Sequence, residues 1–255
     1  MLTKERKLRI MNLLEERSFV TIKELIEDFN VSRSSIVRDL IELENQGLIQ
    51  RERGGASLKS IDITLTSFNE PAVQEKENLH IAQKQRICKE AAKSIRDGDC
   101  VYIDSGTTPV YLLDYLQDKK ITLVTPSTFL IRKLSANFKG DIYLLGGQFN
   151  KSYDMSYGSL TLEMIRQFYF DHAFLSTNGV DLETKEVYVF DFKVGAVKKE
   201  IMSRCKRTDL LIDASKFETR AMCTWANLDD FHTVYTDSIK EGIEPLENFV
   251  ICEKE

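Results

Sequence analysis

Long apolar runs are absent from this chain of 255 residues. No stretch approaches the roughly 18 consecutive apolar residues expected of a membrane-spanning helix. The N-terminus is charged and lacks the apolar core of a secretory signal peptide. We therefore expect a cytoplasmic protein without a membrane partner.

Cysteine is scarce, and the signatures of common catalytic and metal sites are missing. The five cysteines are widely spaced without a CxxC pair, so we interpret them as reduced packing residues. The patterns HExxH, GxSxG, Walker A and GxGxxG do not occur, which predicts no metal, no catalytic nucleophile and no cofactor. Of three scattered histidines, His172 begins a predicted buried strand and is interpreted as structural.

A strong excess of positive charge is also lacking. The net charge is −5, with 11 Lys/Arg against 10 Asp/Glu in the first 60 residues (+1) and 24 against 30 in the remainder (−6). Any DNA partner must therefore be attracted by local clusters of basic residues. A hydrophobic content of 42% supports a sizeable core, and the length allows a small module beside a larger domain.

Residues 31–56 carry the most informative pattern. Ser32 is a predicted N-cap, and Gly47 is a predicted helix end. The apolar stripe consists of Ile36, Leu40 and Leu43 between them and Leu48 directly after Gly47. Polar side chains at the start of this helix hold positions from which a recognition helix reaches base edges and phosphates. They belong to Ser32, Arg33, Ser34, Ser35 and Arg38.

Two further helices and a β-wing are predicted around this helix. Residues 4–17 have an apolar face, and a second helix begins at a capping box of Thr21 and Glu24 and ends at Asn30. A wing with a Gly-Gly turn follows the recognition helix. We assign it DNA contacts through Arg51, Arg53, Gly54 and Gly55. The pattern alone leaves open an ordinary small domain whose arginines are solvated.

Residues 3–58 resemble the winged helix-turn-helix of the DeoR family of bacterial repressors. The motifs VSRSSIVRDL, GLIQR and RGGA carry the resemblance, which implies binding to double-stranded operator DNA. Val37, Ser35 and Arg53 stand where the family pattern has arginine, threonine and histidine. The operator sequence therefore cannot be transferred from the family.

The rest of the chain is predicted to be a linker followed by an α/β domain. We place the winged module at residues 1–58, the linker at 59–71 and the second domain at 72–255. Predicted strands cover 100–104, 121–125, 141–147, 172–176, 209–213 and 232–236. Predicted helices cover 72–96, 108–118, 127–136, 158–168 and 193–206. This alternation predicts a mostly parallel sheet with helices on both faces.

The turn Asp104-Ser105-Gly106-Thr107-Thr108 follows the first of these strands. Glycine permits close backbone approach, hydroxyls donate hydrogen bonds, and a helix N-terminus attracts anions, so the turn suits a phosphate. Ser, Gly and Thr also serve simply as caps in many such turns. Both interpretations remain open on the residues alone.

Residues 75–236 resemble the DeoR sensor domain, which is related in fold to ribose-5-phosphate isomerases and glucosamine-6-phosphate deaminases. The matching motifs are DGDCVYIDSGTT, LLGG, DHAFLSTNGVD, AVKKEIM and DLLIDASKF. The chain resembles the branch that includes the lactose phosphotransferase-system repressors. The resemblance implies a phosphorylated sugar effector held by the turn from Asp104 to Thr108. Further effector contacts are assigned to Asn178, Asp181, Lys198 and Lys216, at two other strand ends and on a helix.

These further residues also have simpler interpretations. Asn178-Gly179 is a common turn dipeptide, and Lys198 and Lys216 could be solvated lysines. Pro126 stands where the family usually has asparagine, which puts a ligand contact there in doubt.

Two functions are compatible with these features. The first is a sugar-phosphate-controlled transcriptional repressor that is not an enzyme, and the second is a sugar-phosphate isomerase or deaminase with an accessory DNA-binding module. The N-terminal module favours the repressor. We expect a homo-oligomer, a dimer or a tetramer, because symmetric repressors pair DNA half-sites by pairing subunits.

Overall fold

The computed structural model describes residues 3–17, 19–45, 49–52, 54–58, 73–217, 219–239 and 242–253. The chain divides into two compact units, residues 1–64 and 65–255. The predictions for Gly47, Leu48, Arg53 and the linker 59–71 lie outside the described residues. No helix in the described ranges is both long and apolar enough to cross a membrane.

The first unit contains three helices and a small antiparallel sheet. In chain order its elements are α1 (Thr3–Arg17), β1 (Phe19–Thr21), α2 (Ile22–Phe29), α3 (Arg33–Asn45), β2 (Ile49–Glu52) and β3 (Gly55–Leu58). The strand order is β1-β3-β2. This is the winged helix-turn-helix arrangement that the sequence predicts.

The ends of α2 follow the predicted local chemistry. The Thr21 hydroxyl accepts a hydrogen bond from the Glu24 backbone N–H at 3.1 Å, and the Glu24 carboxylate accepts one from the Thr21 N–H at 2.8 Å. Asn30 ends the helix in the left-handed conformation, with φ of 49°. Both predictions for this helix are confirmed.

A buried ion pair joins α1 to α3. The guanidinium of Arg6 donates two hydrogen bonds to the carboxylate of Asp39, and both side chains are buried. Burial lowers the pKa of Arg6, but its hydrogen bond to Asp39 outweighs this and raises the pKa. The apolar stripe of α3 is also buried: Ile36 and Leu40 are fully buried, and Leu43 is nearly so.

The second unit is built on seven parallel strands. In chain order the strands are β4 (Cys100–Ile103), β5 (Thr122–Thr125), β6 (Asp141–Leu144), β7 (Gln148–Asn150), β8 (Met155–Tyr157), β9 (Phe170–Leu175), β10 (Gly179–Val180), β11 (Glu186–Val189), β12 (Cys205–Leu211), β13 (Cys223–Asn227), β14 (Thr233–Thr236) and β15 (Phe249–Ile251). The helices are α4 (Val73–Lys76), α5 (Ile81–Ala91), α6 (Leu113–Leu116), α7 (Thr128–Lys133), α8 (Ser159–Ile165) and α9 (Phe192–Ser203). The main sheet has the order β15-β14-β12-β9-β4-β5-β6, and all of its pairs are parallel.

Two apolar layers cover the faces of this sheet. Val101 and Ile103 of β4 face a core that includes α5, α6 and α7, whereas Tyr102 between them faces a core that includes α8 and α9. Alternate residues of a strand point to opposite faces, so a sheet covered on both sides needs continuous apolar strands. The predicted mixed α/β fold with a parallel sheet is confirmed.

Two predicted helices differ from those observed. The helix predicted over 72–96 is interrupted between α4 and α5, where His80 takes a left-handed φ of 54° that ends any helix. The helix predicted over 108–118 consists of a 3₁₀ turn, Pro109–Leu112, and the single turn α6. The sequence also gave no indication of the antiparallel sheet β10-β11-β13 or of the β7–β8 pair.

Candidate functional site

The start of α3 presents two free arginines on an exposed face. Arg33, Ser34 and Arg38 are exposed, whereas Ser35 is half-buried. The Ser32 hydroxyl accepts a hydrogen bond from the Ser35 N–H at 3.3 Å and lies 2.9 Å from the Ser34 and Ser35 hydroxyls. Within the described ranges neither arginine has an ion-pair partner. The serines thus order the first helical turn and leave both guanidinium groups available.

The wing depends on two glycines with different roles. Gly54 has a φ of +92° with open space around it, so its role is to adopt a backbone conformation that other residues rarely take. A side chain at Gly55 would lie 2.3 Å from the carbonyl oxygen of Val20, so this glycine permits close strand approach. The predicted wing contact Arg51 is instead engaged with Glu44, the atoms Nε and Oε2 being 2.6 Å apart.

The second unit brings polar groups together where β4 and β9 end. Asp104, directly after β4, is fully buried, and its Oδ2 accepts hydrogen bonds from the Ser176 N–H at 2.9 Å and hydroxyl at 2.8 Å. Lys198 of α9 donates to the same oxygen and, at 2.9 Å, to the carbonyl of Ser176. The other carboxylate oxygen, Oδ1, is buried without a hydrogen-bond partner among the described residues.

Lys198 is therefore not the solvated lysine that one interpretation allowed. It is 3% exposed, and its ammonium lies 5.5 Å from the ring centroid of Trp225. An open groove of about 480 Å³ beside Trp225 includes none of the predicted effector residues. Ser176 was absent from the predicted contacts, although its position directly after a parallel strand is a signal that could have identified it.

The turn after Asp104 is closed by packing. Gly106 has a φ of +146°, and a side chain there would lie 2.8 Å from the Ser176 hydroxyl. Ser105, Thr107 and Thr108 are buried, and the Ser105 hydroxyl contacts the sulfur of a methionine in β8. The 3₁₀ turn that follows begins at a proline and lacks a side-chain cap, so it offers less anion attraction than the predicted helix N-terminus.

A second polar group follows β12, the other neighbour of β9. Burial raises the pKa of Asp213, but positive charge from Lys216, His80 and Lys84 outweighs it and holds the pKa below its ordinary value. The Asp213 carboxylate also accepts hydrogen bonds from the backbone and hydroxyl of Ser215. Lys216 was predicted for the site, whereas His80 and Lys84 were missed because they precede the sheet by many residues.

The last two predicted residues have local partners. Asn178 accepts a hydrogen bond from the Phe190 N–H at 3.3 Å. Asp181 accepts from the Thr184 N–H at 3.0 Å and from Arg220, and these contacts lower its pKa. Asp181 thus stabilises a turn, and the contacts described for it do not include Asp104.

Groups that could hold a metal are absent from the described ranges, where no three His, Cys, Asp or Glu side chains cluster suitably. All five cysteines are free thiols. Burial raises the pKa of Cys205 to about 12 and that of Cys100 to about 11, so these thiols remain protonated at neutral pH.

Both units match models of one protein family. Residues 6–62 match the DeoR-like helix-turn-helix domain, and residues 79–238 match the DeoR C-terminal sensor domain. The chain belongs to the DeoR family. Its members bind DNA as transcriptional regulators rather than acting as enzymes.

Similar proteins match nearly the whole length of this DeoR-family chain. It is 34% identical to the HTH-type transcriptional regulator FruR of Bacillus subtilis, over 93% of this chain and 92% of the relative. It is 31% identical to the glycerol-3-phosphate regulon repressor of Escherichia coli (90% and 88% covered) and 30% identical to the lactose phosphotransferase system repressor of Staphylococcus epidermidis (94% and 95%). Ribose 5-phosphate isomerase A of Methanocaldococcus jannaschii aligns over 53% of this chain and 54% of its own, with 15% identity and a TM-score of 0.39.

Proposed function

We propose that this DeoR-family protein represses a sugar-catabolic operon in the cytoplasm and that a phosphorylated sugar controls its binding to operator DNA. The main support is the group of polar side chains at adjoining strand ends in the sensor unit. There Asp104 keeps one buried oxygen without a hydrogen-bond partner in the described structure, and Lys216 supplies positive charge beside Asp213 after β12, two strands away. A sugar hydroxyl suits the first group and a phosphate the second.

The DNA half of the proposal depends on the exposed face of α3. Arg33 and Arg38 reach base edges or phosphates of the major groove, and Ser34 and Ser35 add hydrogen bonds. The wing glycines Gly54 and Gly55 allow the backbone to approach the DNA closely. Because Glu44 neutralises Arg51, we assign most of the binding energy to α3 rather than to this part of the wing.

Replacing Arg33 and Arg38 with alanine tests this half. A duplex is first selected from a random-sequence library with the wild-type protein, and binding is then measured by gel shift at several salt concentrations. Each lost base contact is expected to cost roughly 1–3 kcal/mol, and each lost phosphate contact lowers the salt slope by about 1. Arg17→Ala, an exposed charge at the end of α1, is the matched control. Unchanged affinity in the double variant would refute the assignment of α3.

The second part of the proposal concerns the effector. We place the sugar phosphate against Asp104, the turn 105–108, Asn178, Lys198 and Lys216. Thermal unfolding is screened with phosphorylated sugars, glycerol 3-phosphate and inorganic phosphate. A ligand at about 100 times its dissociation constant adds about 2.7 kcal/mol of stability. Lys216→Ala and Thr107→Val should weaken this gain without changing effector-free DNA binding, whereas Lys139→Ala, an exposed lysine, should not. A full response in both site variants would place the effector elsewhere.

The relatives favour repression over isomerisation, because they are named as transcriptional regulators and repressors. We infer that effector binding favours release of the operator. Purified protein should bind ketose or aldose phosphates without converting them.

A further inference from the structure

Strand β6 forms one edge of the parallel sheet, and its apolar side chains are exposed. Within the described residues β5 is its only strand neighbour. Ile142, Tyr143 and Leu144 are 43%, 49% and 43% exposed. All three are large hydrophobic residues, which solvent-facing edge strands usually avoid.

Both core layers of the sensor unit reach this edge. Ile142 lies beside Leu123, which belongs to the layer containing α5. Tyr143 lies beside Val124, which belongs to the layer containing α9. Leu123 and Val124 are fully buried, so the apolar interior continues through β5 and ends at β6 without a covering element among the described residues.

The apolar surface continues onto α8. Leu160 and Met164 lie one helical turn apart and are 62% and 36% exposed. The Met164 sulfur accepts a hydrogen bond from the Gly146 N–H at 3.2 Å, which places α8 beside the end of β6. Tyr169, 65% exposed, directly follows the phenylalanine whose ring centroid lies 5.3 Å from that of Tyr143. We call these six exposed side chains of β6, α8 and position 169 the edge patch.

The size of the edge patch matches a subunit interface. Fully exposed aromatic side chains present about 150–250 Å² each, and the exposed fractions of these six leave on the order of 600 Å² of surface. A stable interface buries about 800 Å² per partner. Natural edge strands are protected by lysine, proline or bulges, whereas β6 contains only Asp141 as a charge. The patch therefore has the area and composition of a covered surface.

We propose that a second copy of this chain covers the edge patch, with β6 pairing antiparallel to β6 of the partner across a two-fold axis. The choice of a second copy rests on the proposed function, because a helix-turn-helix repressor reads a palindromic operator as a two-fold dimer. The pairing would join two parallel sheets into one sheet continuous through both subunits.

The side-chain pattern selects a register. Directly opposed residues of an antiparallel pair point to the same face of the sheet, whereas consecutive residues of one strand point to opposite faces. With a two-fold axis perpendicular to the sheet, one residue must therefore lie opposite its own copy. Centring on Tyr143 pairs the two tyrosines and places Ile142 opposite Leu144 of the partner subunit. Centring on Ile142 would oppose Asp141 to a tyrosine, whereas the first register pairs the three exposed apolar side chains of β6 only with one another.

Sedimentation of the full-length protein tests the surface in the absence of DNA. The wild type should be a dimer or a larger assembly at micromolar concentration, and Tyr143→Asp should weaken its association at least about tenfold, as expected for a central interface position. Met222→Asp introduces the same charge at a side chain that is 62% exposed outside the edge patch, and it should associate like the wild type. A monomeric wild type, or a Tyr143→Asp protein that associates normally, would overturn the proposal.

Oxidative cross-linking tests the register without relying on a destabilising charge. Opposed residues in antiparallel strands have Cβ atoms about 4.5–5.5 Å apart, near disulfide range. Tyr143→Cys should form a covalent dimer on a non-reducing gel, whereas Met222→Cys and the wild type should not. Cross-linking of Tyr143→Cys at only the control level would overturn the register. Neither measurement uses DNA. If the proposed contacts of α3 with DNA proved wrong, these two experiments would still test the β6 interface.

Discussion

At the scale of single residues, buried charged and ionisable groups are the most informative. Asp104 and Lys198 neutralise each other inside the sensor unit, and Arg6 and Asp39 do the same in the DNA-binding unit. Removing one member of such a pair leaves an uncompensated charge and is more damaging than removing both. His172 belongs to the same class, because its Nδ1 is buried without a hydrogen-bond partner in the described structure.

His172 should make the sensor unit less stable in mild acid. Burial lowers its pKa, partly opposed by Asp99 and Asp209. The pKa of His172 in the folded protein lies below its unfolded value of about 6.5. The contribution of this residue to the free energy of unfolding is therefore complete above that pH. It is lost as the pH falls through the folded pKa, by at most about 1.4 kcal/mol per pH unit.

Urea unfolding between pH 7 and pH 5 measures this effect. His172→Gln should make the free energy of unfolding depend less on pH. Asp99→Asn should make it depend more on pH, because this substitution removes a carboxylate that favours the protonated imidazole. Equal slopes in the wild type and His172→Gln would show that other groups cause the acid sensitivity.

At the scale of elements, the sequence predicted what local chemistry and periodicity encode. The capping box at Thr21, the left-handed Asn30 and the main parallel strands are all observed. The break before α5 was not predictable, because His80 carries no intrinsic preference strong enough to interrupt a periodic helix. The two-residue strand β10 was equally hidden, since Gly179-Val180 resembles a turn.

The candidate site was likewise predictable only where a local sequence pattern encodes it. Strand ends indicated Asp104 and Lys216, but the contact of Asp104 with Lys198 joins residues 94 positions apart. No local pattern encodes such a pairing. Only the resemblance to a family placed Lys198 among the candidates, and the burial of that lysine required the packed structure.

The turn after β4 should tolerate no side chain at Gly106. An alanine there must adopt a φ of +146° and place its Cβ 2.8 Å from the Ser176 hydroxyl, which itself holds Asp104. We expect Gly106→Ala to lower the free energy of unfolding by about 1–3 kcal/mol and to reduce effector binding. Gly98→Ala, with a φ of +93° and open surroundings, is the control for backbone strain alone. Effector binding by Gly106→Ala at wild-type strength would exclude this turn from the site.

At the scale of the whole molecule, the two units perform different tasks and must be coupled. The chain has one unit with exposed arginines and another with buried polar groups at adjoining strand ends. A sugar that changes operator affinity must bind the DNA-bound and DNA-free forms with different affinities. We therefore expect the sugar to favour one arrangement of the sensor units over another.

Coupling must be reciprocal. If the effector weakens operator binding, operator DNA must weaken effector binding by the same factor, typically about 5–150-fold. Calorimetric titration of the effector into the protein, with and without a saturating operator duplex, measures this factor. A duplex of scrambled sequence at the same salt concentration is the control. An effector affinity that does not change when operator is present would show that the two sites are not coupled.

The long separation between Asp104 and Lys198 also has a consequence for synthesis of the protein. The DNA-binding unit leaves the ribosome first, and once Asp104 has been made, its contact with Lys198 must wait for a further 94 residues. At about 5–20 residues per second this takes roughly 5–20 s. A nascent chain can therefore fold its DNA-binding module well before it can sense a sugar, and only a completed chain can link transcription to metabolism.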